Sequence, residues 1–304
     1  MCSKPKNTYF VCPPDEAPFR WNPYEKVNPR SPNFRPAYFS KALVAMERRM
    51  SDLEGLNVYL TWNINRLPSY GSDVAAIVLG DEWCRLPRYA NRVRAVFKCY
   101  CTRPAVGWSS LSEPYQNALA LLHFARLHIY RVPNQVHRLI ERAKYHLKGE
   151  DAEAAPHTYA IPLGYGNQSE RPVKDITVRR HDVFFAGSVN HLPHPIWSPK
   201  SWLPTPKRCS RKEMISHLIQ LRERRGDFNI TINKLSHFML DELKEGDDHA
   251  EEKATGINYS RELMDAKICI APRGASLETF RFFEGLRYGC IVVTKALPSR
   301  WFYD

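Results

Sequence analysis

The sequence lacks most of the short signatures that announce a chemistry. Its eight cysteines form no C-x-x-C pair and its eleven histidines no H-E-x-x-H, which argues against a zinc site built on either spacing. "HLPH" offers His191 and His194, but no carboxylate or cysteine follows at ligand spacing, so it reads as a solvated loop. Several cysteines stand inside apolar runs and read as buried free thiols rather than a disulfide frame. No D-x-D motif, zinc finger or RNA-recognition aromatic motif occurs. No apolar run reaches the roughly 18 residues of a membrane span. The N-terminal "MCSKPKNTYFVCPP" has no apolar leader core, so the expectation is a protein made and kept in the cytoplasm.

What is present is basic and globular in composition. The chain has 304 residues, 43% hydrophobic and 25% charged, with a net charge of +12. That length suits two ordinary domains. The positive balance favours polyanions: nucleic acid, an acidic membrane surface or phosphorylated small molecules. Its lysines and arginines are scattered rather than massed, which points to phosphate in general and not to a DNA-binding stripe.

Strand-like and helix-like segments alternate. "NTYFVCPP" reads as a first strand, followed by an extended loop with seven prolines between residues 13 and 36. Phe39–Leu53 has helical spacing, with Leu43, Met46 and Met50 on one face. Leu56–Trp62, Ser72–Trp83 and Val93–Cys101 read as strands. Glu113–Lys148 reads as mostly helical with a break at Pro133, and His157–Asn167 as a short strand entering a Pro/Gly stretch. A second series begins at "HDVFFAGS", His181–Ser188. Ser210 and Glu213 form a capping box that opens a helix. Phe228–Asn233 is a strand, and residues 241–253 are a solvated acidic face. Asn258–Ala266 is a short helix, and "KICIAP", "LETFRFFEGLRYG" and "CIVVT" are strand, helix and strand, the two strands looking fully buried.

This double alternation predicts an α/β protein with two doubly wound, Rossmann-like domains, 1–168 and 169–304, facing each other across a cleft and hinged near residues 162–175. Ligands of such sheets bind beyond the carboxyl ends of the strands. The rule nominates Asp81 and Glu82, Gly187 and Ser188, and the segment from Arg273 onward. In "CIAPRGASLETFRFFE" a strand runs through a turn into a helix start, whose free N–H groups attract anions. Gly274 admits close approach, and Arg273 and Arg281 add full charge. Glu278 and Glu284 could accept hydrogen bonds from a ribose. For any one pair, an i,i+3 salt bridge on an exposed helix face is the plainer account.

The stretch "YSRELMDAKICIAPRGASLETFRFFEGLRYGCIVV" resembles the exostosin-like glycosyltransferases, an inverting family with the two-domain GT-B fold. The resemblance rests on Tyr259, Leu263, Ala266-Lys267, Pro272-Arg273-Gly274, Arg281, Glu284, Gly289-Cys290 and Val292, with "FFAGS" (Phe184 to Ser188) and Ser210-Arg211 upstream. Val292 stands where proline is usual and Ala266 where serine is usual. The family's C-terminal domain runs on for further strands, so the resemblance implies a truncated one here. The N-terminal half matches in outline, through Asp81-Glu82 and Val96-Phe97-Lys98-Cys99-Tyr100.

The resemblance implies sugar transfer, with inversion, from a nucleotide-diphosphate sugar, by family default a UDP-sugar, to a glycan or glycolipid acceptor. It implies neither cofactor nor metal and allows peripheral membrane association. Arg273, Arg281 and the N–H groups of Gly274, Ala275 and Ser276 would neutralise the departing diphosphate. Gly187 and Ser188 would lie against sugar or phosphate, and Glu284, then Glu278, would bind ribose. Asp81 and Glu82 are the candidate general bases; a turn cap beside Arg85 and Arg88 explains them equally well. Two alternatives stay open: an inactive protein that only binds a nucleotide or glycan, and a nucleic-acid-binding module using Trp197, Trp202 and Tyr165. Phe280, Phe282 and Phe283 read as core.

Overall fold

The computed structural model describes residues 5–14, 16–25, 36–50, 53–81, 85, 87–100, 136, 140, 143, 157–166, 172–188, 206–235, 259–274, 276–294 and 297. It is mixed α/β, with two mainly parallel sheets carried by two compact units whose boundary includes the step from Leu163 to Gly164. Residues 191, 194, 197, 202 and 241–253 lie outside the described set, as do Glu82 and Ala275. No helix among the described residues is long and apolar enough to cross a membrane.

The first sheet contains β1 (Thr8–Cys12), β2 (Phe19–Trp21), β3 (Asn57–Thr61), β4 (Gly71–Val78), β5 (Val93–Lys98) and β6 (His157–Ala160), in the order β2-β1-β3-β4-β5-β6. All neighbours pair in parallel except the β1–β2 edge. β3 and β4 are apolar along most of their length, as strands covered on both faces must be. β2 is an addition to the sequence expectation: a three-residue strand inside the proline-rich stretch, placed on a sheet edge where nearby prolines do no harm. The doubly wound expectation needs correcting in this unit. Its parallel strands follow chain order, β1-β3-β4-β5-β6, so the described sheet has no reversal and hence no switch point.

Helix α1 (Pro36–Arg49) ends on Arg48 and Arg49, which suit the negative end of its dipole. Its inner face runs Phe39, Leu43, Glu47, while Met50 is half exposed. The Glu47 carboxylate accepts from the hydroxyls of Tyr9 and Tyr24, both at 2.8 Å, and from the backbone N–H groups of Lys6 (3.3 Å) and Asn7 (3.1 Å). It ties the helix to the entry of β1.

The second sheet contains β7 (His181–Ser188), β8 (Ile230–Leu235), β9 (Ala266–Ile270) and β10 (Ile291–Val293), all parallel, in the order β10-β9-β7-β8. Here the order does reverse. From β7 the chain moves outward to β8, then returns to the other side of β7 for β9 and β10. Right-handed crossovers in opposite directions put the connecting helices on opposite faces. Helix α2 (Pro206–Arg224) accordingly packs Ile215 and Leu218 on Val183, Phe185 and Ile230. The helical residues 259–264 put Leu263 and Met264 with Phe184, Ala186 and Cys269 on the opposite face. Helix α3 (Phe280–Arg287) lies on that second face too, because a Cβ at Gly285 would meet Val292 at 2.8 Å and the Cys269 Cβ at 3.2 Å.

Three local expectations change in this unit. Helix α2 starts at Pro206, a favoured first helical residue, and not at a Ser210 cap. Helix α3 starts at Phe280, six residues after Gly274, so residues 271–274 and 276–279 form a loop. β10 is the edge of the described sheet, and Ile291 and Val293 are exposed instead of buried.

Candidate functional site

The second sheet has its switch point between β7 and β9, and the backbone opens there. The β7–β8 ladder runs to Ser188 and Leu235, whereas the β7–β9 register ends at Phe184 and Cys269. Past that point β9 follows β10 instead: the Ala271 N–H donates to the Val293 carbonyl at 2.8 Å. A crevice therefore begins beside Phe185 and Gly187, at the carboxyl ends of two adjacent parallel strands.

Arg281 fills the crevice floor. It stands on α3, which packs on the Phe184 and Cys269 face. Alternation along β7 turns Phe185 and Gly187 to the other face. The guanidinium nevertheless lies over the Phe185 ring, with Cζ 5.1 Å from its centroid. A Cβ on Gly187 would sit 3.1 Å from that Cζ and closer still to Nη2. Arg281 thus reaches through the gap between the strands, and only glycine at 187 leaves room for it. It is 8% exposed, and its Nε–H is buried with no hydrogen-bond partner among the described residues. Leaving such a donor unpaired costs about 1–3 kcal/mol, more for a charged group.

A second guanidinium arrives from the opposite face. Arg211, in the second turn of α2, is 6% exposed and donates through Nη1 to the Ser188 carbonyl, with the Ser188 hydroxyl at 3.4 Å. Arg211 had stood out in the sequence only as part of a helix opening; an arginine i+5 from a helix start carries no mark of burial. The Thr279 hydroxyl, at the N-cap of α3, makes no capping bond and is buried without a partner among the described residues. Two buried guanidinium groups, one of them with an unpartnered Nε–H, thus meet at Gly187 and Ser188.

The carboxylates nominated from sequence are also inside. Glu278 and Glu284 are both buried, so the plainer account of a salt bridge on an exposed helix face does not describe them. Glu284 Oε2 accepts from the Tyr259 hydroxyl at 2.8 Å. Burial, then the charge of Glu284, pushes the Tyr259 phenol well above its ordinary value and keeps it a donor. The Ser276 hydroxyl accepts from the Glu278 N–H at 3.3 Å. Arg273 is partly buried and donates from Nε to the Gly274 carbonyl at 3.4 Å; burial lowers its guanidinium from the usual range. A Cβ at Gly274 would make only ordinary contacts, 3.7 Å or more, so the protein itself does not require glycine there. Phe282 and Phe283 are half-buried and meet edge to face.

In the first unit Asp81 follows β4 with φ 71°. Its carboxylate is occupied from three directions: the Arg85 N–H at 2.7 Å, the Arg85 Nε at 2.7 Å and the Lys98 Nζ at 3.3 Å. Lys98, 1% exposed, also donates to the carbonyls of Asp81 and Cys99, at 3.2 and 3.1 Å. That arrangement is a turn cap clamped to the end of β5. Among the described residues no group of three or more His, Cys, Asp or Glu side chains is placed to hold a metal ion. No protein-family model matches the chain, and no curated protein matches it at a significant level.

Proposed function

We propose that the second unit binds the diphosphate of a nucleotide sugar and that the chain is an inverting glycosyltransferase of GT-B type, as its resemblance to the exostosin-like enzymes implies. The observation that carries this reading is Arg281. A buried guanidinium with an unpaired Nε–H, held over Gly187 at the switch point of a doubly wound sheet, suits a phosphate oxygen. It would stabilise the charge that grows on a departing nucleoside diphosphate. Glu278 and Glu284 supply carboxylates for ribose hydroxyls, Glu284 with one oxygen already held by Tyr259. The donor in this reading is a UDP-sugar and the acceptor a glycan or glycolipid, reached by peripheral membrane association.

The test is calorimetric titration with uridine diphosphate, followed by product analysis with labelled UDP-sugars. Arg281→Ala is expected to weaken nucleotide binding by about 2–5 kcal/mol. Unchanged affinity would remove Arg281 from the site. The engagement of Asp81 by Arg85 and Lys98 favours a second reading, a protein that binds the nucleotide without transferring sugar. Binding of uridine diphosphate with no labelled product from any donor would decide for it.

A further inference from the structure

We infer that four arginines on one face of the first unit, Arg66, Arg88, Arg92 and Arg94, form a surface that docks on an anionic phospholipid bilayer. The inference rests on the peripheral membrane association in the reading above and on none of its sugar chemistry.

Residues 63–70, between β3 and β4, and residues 87–92, before β5, lie side by side. The Arg88 N–H donates to the Ile64 carbonyl at 2.8 Å, and the Tyr89 hydroxyl donates to the Asn63 carbonyl at 2.9 Å. Ile64, Leu67 and Tyr89 pack on Val74, Ala76 and Val96, so these two connections cover one face of the first sheet. Arg66, Arg88 and Arg92 are the exposed basic residues of that layer. Alternation along β5 puts Arg94, also exposed, on the same face as Val96.

Scattered in the sequence, the four are collected by the fold. Residues 57–98 hold six basic side chains, these four with Arg85 and Lys98, against three acids, Asp73, Asp81 and Glu82. Asp81 is taken by Arg85 and Lys98, and Asp73 accepts from the Asn57 amide at 2.8 Å. None of the four arginines has a carboxylate partner among the described residues. In the second unit, by contrast, Lys174, Arg180 and Lys267 each hold a carboxylate.

Unneutralised charge of this kind attracts polyanions, and the chemistry of the patch selects among them. A nucleic-acid strand gains affinity by stacking its bases on free rings. The two tyrosines of these connections offer none. Tyr89 is 1% exposed. Tyr70 packs on the core, lies under Arg92 with Cζ 3.6 Å from the ring centroid, and its hydroxyl accepts from the Leu67 N–H at 3.2 Å. A single phosphate is held by guanidinium forks meeting at one point, whereas these stand exposed on separate segments. Exposed charges spread over a face suit an anionic surface whose lipids move to meet them.

The experiment measures co-sedimentation of the full chain with vesicles of phosphatidylcholine alone and of an equal mixture with phosphatidylserine, at low and at physiological salt. The wild type should bind only the mixed vesicles, and more weakly as salt rises, because salt screens exposed charge. The triple variant Arg66→Gln, Arg88→Gln, Arg94→Gln leaves Arg92 on Tyr70. Its binding should fall about a hundredfold, at roughly fivefold per arginine near a charged membrane. Arg66→Lys, Arg88→Lys, Arg94→Lys should keep the binding. Lys212→Gln, Arg222→Gln, Arg224→Gln removes the same charge from the exposed side of α2 in the second unit and should change it little. Thermal unfolding checks that each variant is folded; should the first triple variant not fold, Arg88→Gln alone, expected to lose about fivefold, carries the comparison.

Equal binding to both kinds of vesicle, or equal losses in the first-unit and second-unit variants, would overturn the inference. So would tight binding of a mixed-sequence oligonucleotide that depends on these arginines while vesicles stay unbound. If vesicles bind through the arginines and uridine diphosphate does not bind, the membrane surface stands and the nucleotide reading fails. If uridine diphosphate binds and vesicles do not, the nucleotide reading stands and this surface fails.

Discussion

In the first unit the buried charges at the carboxyl edge of the sheet are matched against one another: Lys98 reaches Asp81, and Asp81 also holds the Arg85 side chain and backbone. In the second unit a guanidinium of similar burial, Arg281, keeps an Nε–H with no partner among the described residues, on the floor of a crevice. The topologies differ in parallel. The sheet with the matched charges has its strands in chain order, and the one with the unmatched guanidinium reverses where that charge sits: a reversal sends connecting helices to opposite faces and leaves a gap between strand ends. Saturated buried charge holds a fold together, whereas unsaturated buried charge adds to its free energy until something fills the gap.

The sharpest way to break this contrast is Asp81→Asn. It leaves the Lys98 ammonium buried without its counter-charge, and should destabilise the first unit by about 3–5 kcal/mol in urea denaturation. Affinity for uridine diphosphate should stay as in the wild type. A stable variant that has lost activity would instead make Asp81 a chemical residue.

Gly187→Ala should do the reverse in the second unit. The added methyl meets the end of the Arg281 side chain, which can move, so the melting temperature should hardly change. Nucleotide affinity should fall about tenfold, or ~1.4 kcal/mol, because the displaced guanidinium leaves the crevice. Unaltered affinity would show that Arg281 does not need its present place.

Acid titration gives the mildest test, through groups at neither carboxyl edge. Burial pushes the Glu47 carboxyl up, but the Tyr9 and Tyr24 hydroxyls and the N–H groups of Asn7 and Lys6 outweigh it and hold the group below its ordinary value. In the second unit burial likewise opposes, and Lys174 and Arg180 overcome it, for Asp265; Lys267 lowers Asp182. A carboxylate whose folded value is depressed stabilises the protein above its unfolded value, about 4, and that contribution is lost as pH falls through the folded value. Both units should therefore be insensitive to these groups near neutrality and weaken below roughly pH 4. Glu47→Gln should flatten the acid limb of the first unit alone, followed by circular dichroism in urea at each pH.

The strands were legible wherever an apolar run was long and bounded by turn residues, as with β4, β5 and β7. What could not be read was their order. Pairing is non-local, and the runs at β7, β8 and β9 look alike whether or not the sheet reverses. The exposed edge at Ile291 and Val293 was missed for the same reason, since composition does not say which strand comes last. The positions of Gly187, Ser188, Arg281 and Glu284 followed from the strand-end rule. Arg211 did not, because a basic residue in a helix normally faces water. Nothing in "RCSRKEM" marks Arg211 as the arginine that reaches Ser188.

The early end of the β7–β9 ladder, at Phe184 and Cys269, bears on how fast the site can work. Among the described residues, β7 and β9 share no ladder pairing beyond that point, so parting them there breaks no bond of the ladder. In the proposed reading, a nucleotide would need the Arg281 side chain to turn while the β7–β9 ladder stays whole. Fast association that survives stiffening of the strands would then be the kinetic mark of this early ladder end.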